Sequence, residues 1–242
     1  MTSKKPQSAD LYPGPGFRVR LDFPRLDAAL MKRFQDFDVP DISDQLNRLY
    51  ALDPAITCQN LASHRLCGPV CTVRVFPGDN LMVHKVLDVA KPNDIIIVDA
   101  HGVHSKNAVL GDIVCTKAKH RGIAGFVIDG LVRDMPGIDA LDFPVFARGT
   151  TTVGPLHRGP GEINYAISCG GAVVNPGDVL VADVSGIVVI PRTNAEELLT
   201  RLDAGQERQK SYLAAVQRGE FSNAWVDELL RQYNCEISDG VD

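Results

Sequence analysis

The sequence predicts an α/β core followed by a helical arm, on three observations. Short apolar runs such as Ile95-Ile-Ile-Val98 and Phe126-Val-Ile128 are bounded by aspartate or glycine, which fits strands in a sheet interior. Between them lie segments whose apolar residues recur at helical spacing. After Pro191 the character changes to a long charged amphipathic helix, Asn194 to Arg218, and a second one, Phe221 to Tyr233, holding Trp225, Leu229 and Leu230.

Residues 1–24 are rich in proline, glycine and charge and read as an N-terminal tail. Leu26, Leu30, Phe34 and Phe37 space out a helix, and Ile42, Leu46 and Leu49 a second one from Asp41, capped by Asp41 or Ser43. Gly68 to Phe76 alternates and is β-branched, hence a strand. Pro77-Gly-Asp79 turns into a helix through Leu81, Val86 and Leu87. Asp94 to Asp99 is a strand buried on both faces, Gly111 to Arg121 a helix closed by Gly122, and Gly125 to Ile128 the next strand. An irregular segment leads to a strand at Pro144 to Ala147, and Arg148 to Pro160 is a loop. Strands follow at Tyr165–Ser168, Ala172–Val174, Val179–Asp183 and Ile187–Ile190. Residues 25–192 thus form the α/β domain. Residues 193–242 form the arm, an oligomer contact because a lone helix pair gains stability by burying its apolar stripe on a neighbour.

With 242 residues, 45% of them hydrophobic, the chain can bury one large core. A net charge of -5 offers no basic face for a nucleic-acid backbone. The amino terminus lacks the apolar core of a signal peptide and no stretch approaches a membrane span, so a cytoplasmic protein without membrane or nucleic-acid partners is expected. Six scattered cysteines form no C-x-x-C pair and read as reduced thiols. Cys67 and Cys71, four apart on one strand, are expected on one face. Gly14-Pro-Gly16 lacks the rest of a dinucleotide fingerprint.

The chemistry concentrates between Gly122 and Asp134. The strand there ends in Gly130, followed by Arg133 and Asp134 just past its carboxyl end, the edge where flanked sheets usually hold ligands. Arginine supplies a planar fork for a carboxylate, and aspartate a hard oxygen for a divalent cation. The alternative is a solvated ion pair. At Gly111-Asp112-Ile113-Val114 a helix begins, and the amides of Ile113 and Val114 are among its unpaired first-turn donors, suited to a substrate carboxylate. Asp112 would hold a water or move a proton, unless it only caps the helix. His101-x-x-His104 reads as surface polar groups rather than a metal pair, and His84 as a packed histidine near Asn80.

Together, Gly111-Asp112, the pattern G-x-x-G-x-V-x-D-G-x-x-R-D from Gly122 to Asp134, Pro144 to Gly149, Pro176-Gly-Asp178 and Gly186 to Pro191 resemble the regulator-of-ribonuclease-activity-like (RraA-like) superfamily over residues 40–195. Within it the chain is most similar to the class II pyruvate aldolases that cleave 4-hydroxy-4-methyl-2-oxoglutarate and 4-carboxy-4-hydroxy-2-oxoadipate. The resemblance implies a swivelling β/β/α domain like the phosphohistidine domains, assembled as a homotrimer or homohexamer. It implies that Asp134 contacts Mg2+ or Mn2+, that Arg133 binds a 2-oxo acid substrate, and that Gly111, Ile113 and Val114 hold its carboxylate. Asp112 would orient the water used in proton transfer, Asn80 would line the pocket, and Arg158 would meet the distal carboxylate. A carboxylate from a neighbour, Glu196, Glu197 or Glu207, would complete the site. A non-catalytic regulator of a ribonuclease is the other class the resemblance allows. One departure is Ser185, where many members carry a second aspartate of D-x-D-G.

Overall fold

The structure, a computed structural model, describes residues 10–60, 65–238 and 240. It comprises two compact units, Met1–Leu202 and Asp203–Asp242. The first is a mixed α/β unit, as the sequence predicts. Its strands are β1 (Phe17–Val19), β2 (Thr57–Cys58), β3 (Leu66–Val75), β4 (Ile95–Asp99), β5 (Ala108–Leu110), β6 (Gly125–Val132), β7 (Val145–Thr150), β8 (Gly161–Ile163), β9 (Ile167–Cys169), β10 (Ala172–Val174), β11 (Val179–Asp183) and β12 (Gly186–Ile190). The helices are α1 (Ala28–Arg33), α2 (Val39–Gln45), α3 (Leu81–Val86), α4 (Asp112–His120), α5 (Met135–Ala140), α6 (Ala195–Gln217) and α7 (Ala224–Gln232).

Among the described residues, ten strands join in one sheet in the order β1-β8-β3-β4-β6-β7-β2, with β11 and β12 branching from β3 and β5 pairing β6. β3, β4, β6 and β7 are mutually parallel, and α3, α4 and α5 lie in the crossovers that parallel neighbours require. β3 serves two layers. Leu66 to Pro69 pairs antiparallel with β11, while Val70 to Arg74 pairs parallel with β4.

The alternation of side chains along a strand explains why the Ile95–Val98 run is apolar throughout. Ile96 and Val98 pack on one face with α3 and α4, through Val83, Val86, Cys115 and Ala118. Ile95 and Ile97 pack on the other with Ile167, Val174, Leu180 and Val189 of the second β-layer. A third cluster seats Ile42 of α2 and Leu198 and Leu199 of α6 against Val179, Val181, Val188 and Ile190.

Four details depart from the sequence expectation. α2 begins at Val39, before Asp41, with Asp38 at its N-cap and no side-chain cap bond, because Pro40 is tolerated in a first turn. The segment after Asp134 is not irregular but α5. Cys67 and Cys71 do not share a cluster: β3 changes layers between them, so Cys67 packs beside α1 and donates to the Met31 carbonyl, while Cys71 lies under the α-layer and donates to Asn164 Oδ1. Burial pushes the Cys67 thiol up to about 11 and Cys115 to about 12, and all six cysteines are free. Lastly, within the segment expected as a tail, β1 pairs parallel with β8 and Phe23 is buried; residues 1–9 of that segment lie outside the described residues.

Glu162 ties β1 down. Its carboxylate, 4% exposed, accepts from Arg18 Nε at 2.6 Å and from the Gly16 amide at 3.0 Å, and lies 3.3 Å from Arg74 Nη1. Burial pushes its pKa up, but the Gly16 amide and the arginines outweigh it and hold it below the ordinary glutamate value. A depressed carboxylate stabilises the fold above its unfolded pKa and loses that contribution as pH falls through the folded one. Glu162→Gln is therefore expected to cost about 1–2 kcal/mol and to raise amide exchange across Gly16 to Val19 at neutral pH. Acidification of the wild type below the glutamate range should do the same.

The second unit holds the rest of α6 and α7. α7 is amphipathic, and Trp225 and Leu229 on it are exposed. Among the described residues, no helix is long and apolar enough to cross a membrane.

Candidate active site

β6 runs four residues beyond the apolar core that marks it in the sequence, paired with β5 through Leu131 and Val132. This places Arg133 and Asp134 at its carboxyl end, beside the start of α4. Asp134 sits in the left-handed region, φ 60° and ψ 41°, at the N-cap of α5. Such a conformation costs a non-glycine residue roughly 1–2 kcal/mol, though aspartate and asparagine tolerate it best. Arg133 Nε lies 3.1 Å from Asp134 Oδ2 yet is buried without a hydrogen bond, so the two are a charge pair only.

A cavity of about 240 Å³ opens between these elements, lined by Asn80, Gly111, Asp112, Ile113, Val114, Arg133 and Asp134 among others. Seven residues singled out from the sequence thus meet in one place. The volume is below the roughly 300–1,000 Å³ of pockets for drug-sized ligands and suits a small ligand.

Three glycines shape this cavity. A Cβ on Gly111 would collide with Asp134 Oδ2. One on Gly137 would meet Asp112 Cβ at 2.7 Å and Cγ at 2.9 Å, and one on Gly154 would meet Arg133 Nη1 at 2.7 Å. None of the three has positive φ, so what each supplies is space for one charged side chain.

Two expectations need correction. The amides of Ile113 and Val114 are not both open, because Asp112 Oδ1 accepts from Ile113 N at 2.7 Å. A short aspartate at N1 reaches its neighbour's amide and takes the place foreseen for an anion, leaving Val114 as the first-turn donor at the cavity wall. Nor does Arg158 line the cavity. Its amide donates to Asp79 Oδ2, and in this extended loop the adjacent His157 side chain is the one facing Asn80.

His84, Gly154, Pro155 and His157 are lining residues that the motifs do not mark as functional. The i, i+4 spacing of Asn80, the N-cap of α3, and His84 within it is a sequence signal for the first. His157 Nδ1 lies 2.6 Å from Asn80 Oδ1, and the His84 and His157 rings meet edge to face at 5.5 Å. Burial, then His157 and Lys117, lowers the His84 pKa below the ordinary histidine value.

Elsewhere, Glu162, Arg74, Asp99, Asp129 and Arg148 form a charged row across β8, β3, β4, β6 and β7, with Arg148 Nη1 also bonded to Asp53. His101 and His104 are exposed beside it. Among the described residues, no group of three or more His, Cys, Asp or Glu could hold a metal on its own.

A family model for RraA-like proteins, described as Aldolase/RraA, matches residues 39–189. A Halalkalibacterium halodurans protein named "Putative 4-hydroxy-4-methyl-2-oxoglutarate aldolase" is 43% identical over 184 residues, 76% of this chain and 87% of that one. The crystal structure of an uncharacterized Pseudomonas syringae protein superposes with a TM-score of 0.72 at 27% identity, over 84% of this chain and 95% of that one. That of Streptomyces coelicolor RraAS2, described as an unusual member of the RNase ES inhibitor RraA family, gives 0.70 at 27% identity, over 79% and 99%.

Proposed function

The chain belongs to the RraA-like family, Aldolase/RraA, and from that membership and the cavity we propose that it is a divalent-metal-dependent class II pyruvate aldolase. Its reaction is retro-aldol cleavage of a 4-hydroxy-2-oxo di- or tricarboxylic acid to pyruvate and a second oxo acid. Decarboxylation of oxaloacetate, which passes through the same enolate, is the expected side activity. The observation carrying this reading is the meeting of Gly111-Asp112 and Arg133-Asp134, with 20 residues between the two pairs in sequence, around one small cavity.

The residues present fit a hard cation. Asp134 directs a carboxylate over Gly111, where the missing Cβ leaves room, and Asp112 adds a second carboxylate. Mg2+ takes one or two carboxylates, keeps several waters and accepts the rest of its oxygens from substrate, so no three-residue cluster is needed. Asp134 would hold Mg2+ or Mn2+, directly or through water. Bound there, the cation would stabilise the negative charge of a pyruvate enolate through the carboxylate and keto oxygens of the acid.

The protein's own groups do the rest. Arg133 binds the substrate through its fork, and the Val114 amide at the start of α4 meets the pyruvyl carboxylate. Asp112 orients the water that protonates C3. A lysine imine is the weaker mechanism: Lys85, Lys91, Lys106, Lys117 and Lys119 are all exposed, without the burial that activates an amine. The site is completed in a homotrimer or homohexamer by Glu196, Glu197 or Glu207 of a neighbour, and the enzyme works in the cytoplasm.

The test is pyruvate release from 4-hydroxy-4-methyl-2-oxoglutarate and from oxaloacetate with Mg2+, coupled to NADH oxidation. EDTA should reduce it to background and added Mg2+ restore it. If no 2-oxo acid of a panel yields pyruvate above the metal-free control, a non-catalytic role like that of the ribonuclease-inhibitor branch takes its place.

A further inference from the structure

Two imidazoles in the cavity, His84 and His157, have no part in the roles above. Their surroundings differ. His84 is partly buried, which lowers its pKa, and it packs its ring against its neighbour. His157 is exposed at the cavity and held at one nitrogen only, Nδ1, by Asn80 Oδ1 at 2.6 Å.

The far side of that amide settles the tautomer. Asn80 Nδ2 donates to the Val109 carbonyl at 2.9 Å, and a carbonyl can only accept. The atom facing Val109 is therefore the NH2 group, and the atom facing His157 is the amide oxygen, which also only accepts. In the neutral ring the His157 proton therefore sits on Nδ1, and Nε2 carries the lone pair. Asn80 is 2% exposed at the start of α3, so this orientation is held by packing as well.

Cleavage of a 4-hydroxy-2-oxo acid needs a group to remove the proton of the C4 hydroxyl, and the roles given to Asp134, Arg133 and Asp112 do not supply one. Resting on the aldolase reading, we propose that His157 is this base, acting through Nε2, and that Asn80 positions it. The hydroxyl proton passes to Nε2, and the oxygen's electron pair closes the new C4 carbonyl. The C3–C4 bond breaks, and its electron pair stays with C3 as the enolate of pyruvate. The enolate takes a proton at C3 from the water beside Asp112, and the imidazolium proton restores that water through solvent.

Oxaloacetate separates this role from any other. It has no C4 hydroxyl and reaches the same enolate by losing carbon dioxide, so it needs no such base. In the full-length protein with Mg2+, His157→Gln is expected to lower kcat/KM for 4-hydroxy-4-methyl-2-oxoglutarate about 100-fold. That loss should exceed the loss on oxaloacetate by about tenfold or more. Equal losses on both substrates, or no loss on the hydroxy acid, overturn the proposal and leave the aldolase reading in place. A wild-type chain that cleaves no hydroxy-oxo acid overturns the aldolase reading itself, and the base with it. The ring-nitrogen chemical shifts of His157 in the free protein at alkaline pH give a readout apart from activity: protonated Nδ1 and bare Nε2 are expected, and the opposite tautomer overturns the assignment.

Discussion

Asp134→Asn is expected to lower Mg2+-dependent pyruvate release by about 1,000-fold or more, on the order of 4 kcal/mol of transition-state stabilisation, with the fold intact. Asparagine is the informative replacement because Asp134 has φ 60°. Asparagine adopts that conformation nearly as readily as aspartate, and it keeps the shape while removing the charge that would bind a cation. Alanine removes the charge too, but adds a backbone penalty of roughly 1–2 kcal/mol. Asp134→Ala should therefore match Asp134→Asn in turnover and melt at a lower temperature. Steady-state kinetics and circular dichroism melting check both halves. Full activity in either variant would show that the cation is held elsewhere.

The second large effect falls on Arg133. Its pair with Asp134 is about two-fifths exposed on both sides, and such pairs contribute only about 0–1 kcal/mol to stability. Loss of the guanidinium should hardly change the melting temperature. Catalysis should suffer far more, with kcat/KM falling roughly 100-fold or more in Arg133→Ala. Arg133→Lys keeps the charge but loses the planar fork, and recovery in it should be minor, because a point charge cannot grip a carboxylate with two parallel bonds. If Arg133→Lys restored most of the activity, the arginine would be supplying charge alone.

The parts of this architecture visible in the sequence are those whose cause is local. Ile95 to Val98 and Phe126 to Ile128 announce buried strands because both faces are covered, and α6 announces itself by its period. β1, β5 and β8 are three residues each, too short to carry a period, and β1 and β8 hold a charged residue at their centres. β5 and β8 exist because the longer β6 and β3 offer them an edge, and β8 in turn offers its free edge to β1. α5 was hidden by Pro136 and Gly137, residues that usually signal a break, here placed in a first turn where proline loses nothing.

The site divides the same way. Asp112 and the Arg133-Asp134 pair sit at a helix start and a strand end, so pattern alone located them. The bond between Asn80 and His157 joins residues 77 apart and depends on which of two adjacent loop side chains turns inward. The left-handed backbone of Asp134 and the diversion of the Ile113 amide are likewise products of packing that no spacing rule contains.

The cleared spaces at positions 111, 137 and 154 mean that this centre can be disabled by addition as well as by removal. One extra carbon at any of them leaves every functional group and every surface charge in place, yet crowds a carboxylate or a guanidinium out of line. Such single-methyl alleles could divide turnover from any scaffolding duty inside a living cell, since an interacting protein would still meet the same exterior.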